Sequence, residues 1–193
     1  MRRRWPYLIG KPLLMPALAA RHVMGTDEPS RAVLTADALS WVGDIALMGS
    51  GRRWFLTGVG SFFGAHLAYI ATYRDRSSMP LLGTRGRRRF LGGAAALAGG
   101  MALAARRQDP TLAAPVAAYG LTLAVMVASA AAVDDGRGRD LLLPGAGLFL
   151  VSDALIGVQQ FVAGEDSRAL EAAVLGTYAV AQALITEGLT RTR

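Results

Sequence analysis

Residues 110–133 read PTLAAPVAAYGLTLAVMVASAAAV, and this stretch of 24 residues decides the fold class. It contains no Asp, Glu, Lys, Arg or His, and Tyr119 is its only titratable side chain. The hydrocarbon core of a bilayer is about 30 Å thick, and a helix of roughly 20 apolar residues crosses it. The stretch therefore predicts a membrane-spanning helix.

Six further apolar stretches flank this segment in the sequence, at 5–24, 31–49, 54–73, 90–105, 141–162 and 168–188. Only short loops remain between them, so the sequence leaves no room for a soluble domain. A backbone embedded in lipid must satisfy its own hydrogen bonds, and helices do this segment by segment. We therefore predict an all-α polytopic transmembrane bundle with seven spans, in which residues 1–193 form a single integral membrane domain.

The composition agrees with a membrane protein and excludes several other classes. Of the 193 residues 52% are hydrophobic, and the mean hydropathy is +0.33. The net charge of +7 does not indicate nucleic acid binding, because the arginines lie between the apolar stretches, as topology signals do. The chain has no cysteine, which excludes disulfides, thiolate catalysis and cysteine-ligated metal centres.

The arginine distribution also predicts how the chain lies in its membrane. A small excess of arginine on the side of the C-terminus favours a cytoplasmic C-terminus. The N-terminus resembles a secretory signal, but Lys11, Pro12 and Pro16 interrupt its apolar region, so we expect it to be retained. The composition is typical of a GC-rich bacterium, and we expect the protein in the inner, or cell, membrane.

Polar side chains inside the spans indicate where a functional site would lie, because such groups are costly in lipid and are often functional. The candidates fall on the first, second, third, sixth and seventh stretches, whereas the fourth and fifth carry no ionisable side chain apart from Tyr119. We therefore predict a site built from five helices, with the fourth and fifth as scaffold. The candidates are Lys11, Asp37, Asp44, His66, Tyr69, Tyr73, Ser152, Asp153, Tyr178 and Gln182.

Helical spacing places several of these groups on shared faces. Asp37, Trp41 and Asp44 follow an i, i+4, i+7 pattern. Phe62, His66, Tyr69 and Tyr73 follow an i, i+4, i+7, i+11 pattern. Each group also has a structural interpretation. Lys11 lies near enough to its helix start to reach the interface. Asp37 is close enough to its own helix start to act at the level of the headgroups, and a structural role is favoured there.

The other candidates also allow both a structural and a functional interpretation. His66 fits either a hydrogen-bonded core histidine or a functional one, and the tyrosines and Gln182 also fit simple bonding between helices. Asp44 and Asp153 lie near the middle of their spans, where a structural explanation is hardest. Two carboxyl groups in a dry cavity can keep one proton at neutral pH, because desolvation and mutual repulsion disfavour two charges. No nucleophile elbow, phosphate loop or metalloprotease motif accompanies them.

Five blocks of sequence resemble, in order and spacing, the YhhN family of membrane proteins, the lysoplasmalogenases. They are KPLLM at 11–15, ALSWVGDIALM at 38–48, FFGAHLAYI at 62–70, GAGLFLVSDA at 145–154 and TYAVAQALI at 177–185. The resemblance implies an eight-helix bundle with one helix before the first block. Only ten residues precede Lys11 here, so we expect either that the first helix is absent or that the start was placed late. It also implies hydrolysis of the vinyl ether bond of a lysoplasmalogen, or of another ether or enol lipid, to a fatty aldehyde and a glycerophospho-headgroup.

The resemblance also implies roles for the polar residues. Asp44 and Asp153 become the acid and base pair, in an order left open, and His66 orients a carboxylate or water. Tyr69, Ser152, Tyr178 and Gln182 would bind the substrate, and Lys11 would meet the lipid phosphate as a point charge. No cofactor is required, although a metal held by Asp44, His66 and Asp153 stays open. Two other classes also fit intramembrane Asp, His and Lys: a small transporter or ion channel, and a structural membrane protein.

Overall fold

The computed structural model describes residues 5–134, 136–163 and 168–191, with side chains described for 12–134, 136–162 and 169–191. These parts of the chain form seven α-helices and no strand, which confirms the predicted all-α bundle. The helices are α1 Trp5–Gly25, α2 Arg31–Ala46, α3 Arg52–Arg74, α4 Arg85–Gln108, α5 Ala113–Ala130, α6 Arg139–Val158 and α7 Arg168–Arg191.

Local capping explains where several helices begin. The Ser30 hydroxyl accepts the Val33 amide at the start of α2, and the Thr84 hydroxyl accepts the Arg87 amide at the start of α4. The α4 helix begins at Arg85 rather than at the predicted residue 90. Thr84 caps this earlier start, and the arginines that follow it are good helix formers. Gly138, with φ of +90°, leads into α6 in a conformation that favours glycine.

Six of the helices form a closed ring within the described residues. In order around the ring they are α1, α2, α3, α5, α6 and α7, and α7 packs back against α1. The remaining helix, α4, lies outside this ring and packs mainly against α5. Tyr69, Tyr73 and Phe149 are among the fully buried side chains inside the ring.

Four of the described helical segments are long and apolar enough to cross a membrane. They are Arg52–Arg74, Pro110–Ala130, Arg139–Val162 and Ala169–Arg191. These segments support a membrane protein, whereas the number of seven spans stays a prediction. The 16 residues of α2 rise only about 24 Å at 1.5 Å per residue, less than the hydrocarbon core. In α4, the arginines of the first and last turns shorten the apolar part.

The end of α6 departs from regular α-helix. Gln159–Ala163 form a π-helical turn, a feature that often marks functional sites. From the end of α4, the Gln108 amide donates to the carbonyl oxygens of Gln160 at 3.3 Å and Phe161 at 3.4 Å. Gln108 thus ties α4 to this turn.

Candidate functional site

A buried hydrogen-bonded chain connects α2, α3 and α7, and we call it the Asp44 network. The Tyr178 hydroxyl donates to Asp44 Oδ2 at 2.7 Å. Gln182 Nε2 lies 3.4 Å from the Tyr178 hydroxyl and 3.3 Å from Ser40 Oγ. The Tyr69 hydroxyl lies 2.9 Å from Gln182 Oε1 and 3.1 Å from Asp37 Oδ1. All these side chains are buried, with at most 4% of their surface exposed.

A second polar group connects α3, α5 and α6, and we call it the His66 cluster. The Tyr119 hydroxyl lies between His66 Nε2, at 3.1 Å, and Asp153 Oδ2, with which it forms a short hydrogen bond. His66 Nε2 is itself 3.6 Å from Asp153 Oδ2. Tyr119 therefore bridges the histidine and the carboxyl group.

Aromatic rings hold the two groups in place. Phe149 packs edge to face against Tyr178, with ring centroids 5.5 Å apart, and against His66, at 5.0 Å. Phe62 packs in the same way against Tyr178 and Phe149. Because rings in such contacts have little freedom, Tyr178 and His66 keep fixed orientations toward their carboxyl partners.

Asp44 and Asp153 face a common polar cavity of about 600 Å³. Tyr178 and Ser152 also line it. The Ser152 hydroxyl donates to the Val174 carbonyl oxygen at 3.0 Å, so it ties α6 to α7 at the cavity wall. The two aspartates, on different helices, are thus brought to one space, as their pairing in the sequence prediction requires.

A smaller apolar cavity of about 110 Å³ lies beside the polar one. Its walls come from α3, α4, α5 and α6, and Leu97, Met101 and Leu123 are typical members. Asp153 and Phe62 line both cavities. Asp153 therefore stands at the boundary between a polar and an apolar space.

Charged side chains surround the polar cavity near the loop between α4 and α5. Arg52 lies there with its Nε 3.4 Å from Asp109 Oδ2, and it donates to the Thr111 hydroxyl at 2.7 Å. Hydrogen bonds from the Thr111 hydroxyl and amide hold the pKa of Asp109 below its usual value. Glu171 lines the same cavity from α7. Arg52 is thus a cation at the cavity wall with 57% of its side chain exposed.

The structure corrects the sequence prediction for α5 and supplies a residue that the sequence analysis missed. We predicted α5 to be scaffold, yet it carries Tyr119, which contacts both His66 and Asp153. The sequence did indicate this residue, because Tyr119 is the only titratable side chain in residues 110–133. The other scaffold helix, α4, contributes only apolar side chains to the smaller cavity.

Other predicted site residues lie away from the cavity. Tyr69 and Gln182 are absent from the walls of both cavities, and Gln182 connects Tyr69 to Tyr178, which lines the polar one. Asp37 is only 2% exposed and is hydrogen-bonded to Tyr69 inside the bundle. Trp41 does not share the buried face of Asp37 and Asp44, because it is 40% exposed and its indole donates to the Pro12 carbonyl.

Two further predictions concern Lys11 and a metal. Lys11 belongs to α1, and its side chain lies outside the described residues. Among the side chains that the structure describes, no three His, Asp or Glu converge as a metal centre would need. Asp44, His66 and Asp153 thus do not form the three-ligand set that the sequence left open.

Comparison with known proteins gives one match. A model of the YhhN family matches residues 7–189, nearly the whole chain. No curated protein and no solved structure matches the chain.

Proposed function

Because the chain belongs to the YhhN family, which is the lysoplasmalogenase family, we propose that it hydrolyses the vinyl ether bond of a lysoplasmalogen-like lipid. The observation that carries the proposal is the position of Asp153 at the boundary of the polar and apolar cavities. In such a lipid the vinyl ether bond joins a polar glycerophospho-headgroup to an apolar chain. A carboxyl group at this boundary faces the bond that has to break.

The size of the two cavities suits an amphiphile of this kind. About 600 Å³ is within the range of small-molecule sites, so the polar cavity has room for a glycerophospho-headgroup. A cavity of about 150 Å³ accommodates benzene. The apolar cavity of about 110 Å³ therefore takes the first few carbons of the chain, and the later carbons extend beside α4 toward lipid.

The chemistry needs an acid and a charge partner at this boundary. Protonation of the vinyl carbon produces an oxocarbenium ion, and water then adds to it to give a hemiacetal that separates into aldehyde and alcohol. A carboxylic acid supplies the proton, and a carboxylate stabilises the cation. Asp153 and Asp44 are the two carboxyl groups placed for these tasks, with no step that requires a cofactor.

Aldehyde release from purified protein tests the proposal. The protein, in a maltoside detergent, should release fatty aldehyde from lysoplasmalogens and none from the matched alkyl ether lipids, which have no double bond to protonate. Transport of ions or lipids across sealed vesicles, without aldehyde from any vinyl ether lipid, would establish the transporter alternative and overturn the proposal.

Arg52 provides a prediction about headgroup binding. If its guanidinium meets the lipid phosphate, Arg52→Gln should raise KM about tenfold and change kcat little, because the contact is present in the ground and transition states alike. The expected effect is modest because Arg52 is more than half exposed and its charge is screened by solvent. Steady-state kinetics on a phosphate-containing and a phosphate-free vinyl ether would measure it.

Arg53 is the matched control, since it is exposed on the same turn of α3 and does not line the polar cavity. Arg53→Gln should leave KM unchanged. Lys11→Met measures the phosphate contact that the family resemblance implies. An equal KM for Arg52→Gln and Arg53→Gln, together with a raised KM for Lys11→Met, would move the phosphate from Arg52 to Lys11.

A further inference from the structure

The two cavity aspartates differ in what their tyrosine partners can do. Asp44 is hydrogen-bonded to Tyr178, and Asp153 is hydrogen-bonded to Tyr119. A tyrosine hydroxyl has one hydrogen, so the group to which it donates is decided by the other neighbours of its oxygen. Those neighbours are different in the two cases.

On the Asp44 side, the hydrogen of Tyr178 has one destination. The second neighbour of its oxygen is Gln182 Nε2 at 3.4 Å, and an amide nitrogen only donates. The Tyr178 oxygen therefore accepts from Gln182, and its hydrogen goes to Asp44 Oδ2 at 2.7 Å. The Oδ2 atom of Asp44 therefore carries no proton, and the hydrogen bond that it accepts favours the carboxylate form.

The rest of the network fixes the orientation of Gln182 and the state of Asp37. Gln182 uses its amide hydrogens toward Ser40 and Tyr178, so its carbonyl oxygen accepts from Tyr69 at 2.9 Å. The Tyr69 hydroxyl also lies 3.1 Å from Asp37 Oδ1. Because its single hydrogen goes to Gln182, a hydrogen bond at this second contact needs a proton on Asp37. Asp37 is thus a carboxylic acid. Its Oδ2 is buried with no hydrogen-bond partner among the described residues, where a charge would be uncompensated.

Apart from the branch from Gln182 to Ser40, the hydrogen bonds of the Asp44 network consequently point the same way. The network starts at the acid Asp37, passes through Tyr69, Gln182 and Tyr178, and ends at Asp44. Hydrogen bonds aligned in this way polarise one another. This alignment stabilises negative charge on Asp44 and disfavours protonation there.

On the Asp153 side, the hydrogen of Tyr119 has two destinations. Its oxygen lies between Asp153 Oδ2 and His66 Nε2. An imidazole nitrogen accepts in one tautomer and donates in the other, so Tyr119 can donate to either neighbour. Nδ1 of His66 is buried and makes no hydrogen bond to the described residues, so no partner fixes the tautomer. Asp153 can therefore hold a proton or release it without losing its bond to Tyr119.

We infer that Asp153 is the proton donor of the site and that Asp44 stays a carboxylate, a difference set by the directions of their tyrosine hydrogen bonds. The inference rests on the proposed function for its chemistry. The proton of Asp153 forms the new C–H bond with the electron pair of the vinyl double bond, and the ether oxygen shares a lone pair to give the oxocarbenium ion. The carboxylate of Asp44 faces this cation.

The second half of the reaction returns the proton to Asp153. Water adds to the cation carbon and gives a proton to the Asp153 carboxylate, toward which Tyr119 has turned its hydrogen. The hemiacetal then loses its C–O bond to the glycerol oxygen, which takes the hydroxyl proton, and the aldehyde forms. The sum is vinyl ether plus water to aldehyde plus alcohol, and Asp153 ends as it began. Tyr119 is a positioning residue in this scheme.

Infrared spectroscopy tests the proton placement without any substrate. In a maltoside detergent, which has no carbonyl group, the C=O stretch of protonated carboxyl groups is separate from the carboxylate bands. Asp37→Asn and Asp153→Asn should each remove part of this acid band at neutral pH, whereas Asp44→Asn should remove only carboxylate absorption. Asp140→Asn, at an exposed position in the first turn of α6, is the control and should leave the acid band unchanged.

A second set of variants keeps the test decisive if an asparagine variant does not fold. Asp153→Glu and Asp44→Glu retain a carboxyl group, and only the former should shift the acid band. Tyr119→Phe should also shift the band of Asp153, which a merely structural role of Tyr119 would not do. Loss of acid absorption in Asp44→Asn, or a shift in Asp44→Glu alone, would reverse the two roles and overturn the inference.

The two proposals fail in distinguishable ways. If the acid bands belong to Asp37 and Asp153 but no vinyl ether lipid yields aldehyde, the proton placement holds and the proposed function is wrong. If aldehyde is released while Asp44 carries the acid band, the function holds and the inference is wrong.

Discussion

Asp153→Asn should lower kcat for aldehyde release by about 100- to 10,000-fold, the usual contribution of a general acid. Asparagine has nearly the same shape, and its amide oxygen can still accept from Tyr119, so the His66 cluster should keep its geometry. What it lacks is a proton to transfer. Single-turnover kinetics with a lysoplasmalogen in detergent micelles would measure the loss.

Asp140→Asn is the matched control for this measurement, because it makes the same change on the same helix at an exposed position. It should retain the activity of the unchanged protein. If Asp153→Asn kept most of its kcat, Asp153 would have no part in proton transfer, and the position at the boundary of the two cavities would need another explanation.

Gly145→Leu should destabilise the protein by about 3 kcal/mol, at the upper end of what overpacking costs. A Cβ at this position would lie 3.1 Å from both the Ala181 carbonyl oxygen and the Ile185 amide nitrogen. Both are backbone atoms of α7, so α6 and α7 have to separate before any side chain fits. Small residues serve this purpose in membrane helix pairs, where they let backbones approach closely. Thermal unfolding in one detergent would show the difference.

Gly147, on the same helix, is the matched control for Gly145, because a Cβ there meets nothing within 4 Å. Gly147→Leu should leave the unfolding temperature unchanged or raise it slightly, because leucine is a better helix former than glycine. The same separation of α6 from α7 should abolish activity in Gly145→Leu, because Asp153 and Tyr178 lie on those two helices. Equal unfolding temperatures for the two variants would show that the close approach at Gly145 does not limit stability.

The helices could be predicted from the sequence because the information for them is local. The stretch at 5–24 corresponds to α1 at Trp5–Gly25, and the stretch at 168–188 begins where α7 begins. Apolar length and the loops between stretches are sufficient for such predictions. The boundary of α4 was less accurate, because the Thr84 cap allows the following arginines to join the helix.

The site was predicted only in part, because its contacts join residues far apart in the chain. Asp44 and Asp153 could be predicted because they are carboxyl groups within apolar stretches, and both line the polar cavity. The sequence could not show that Tyr119 on α5 would bridge His66 and Asp153, since this depends on how α5 is rotated in the ring. It also could not show that Tyr69 and Gln182 lie behind Tyr178, because helical spacing gives a shared face but not the depth of that face.

The position of α4 outside the ring has a kinetic consequence. This helix closes the apolar cavity with Leu97, Ala98 and Met101, and four of its glycines, Gly92, Gly93, Gly99 and Gly100, have no neighbour within 4 Å of a Cβ. A lipid chain that reaches this cavity beside α4 arrives sideways from the membrane plane and never passes through water. The quantity that governs the rate is then the mole fraction of substrate among the surrounding lipids. Adding inert detergent at a constant bulk concentration of substrate lowers this mole fraction and slows such an enzyme. Diluting substrate and detergent together with buffer keeps the mole fraction constant and does not slow it.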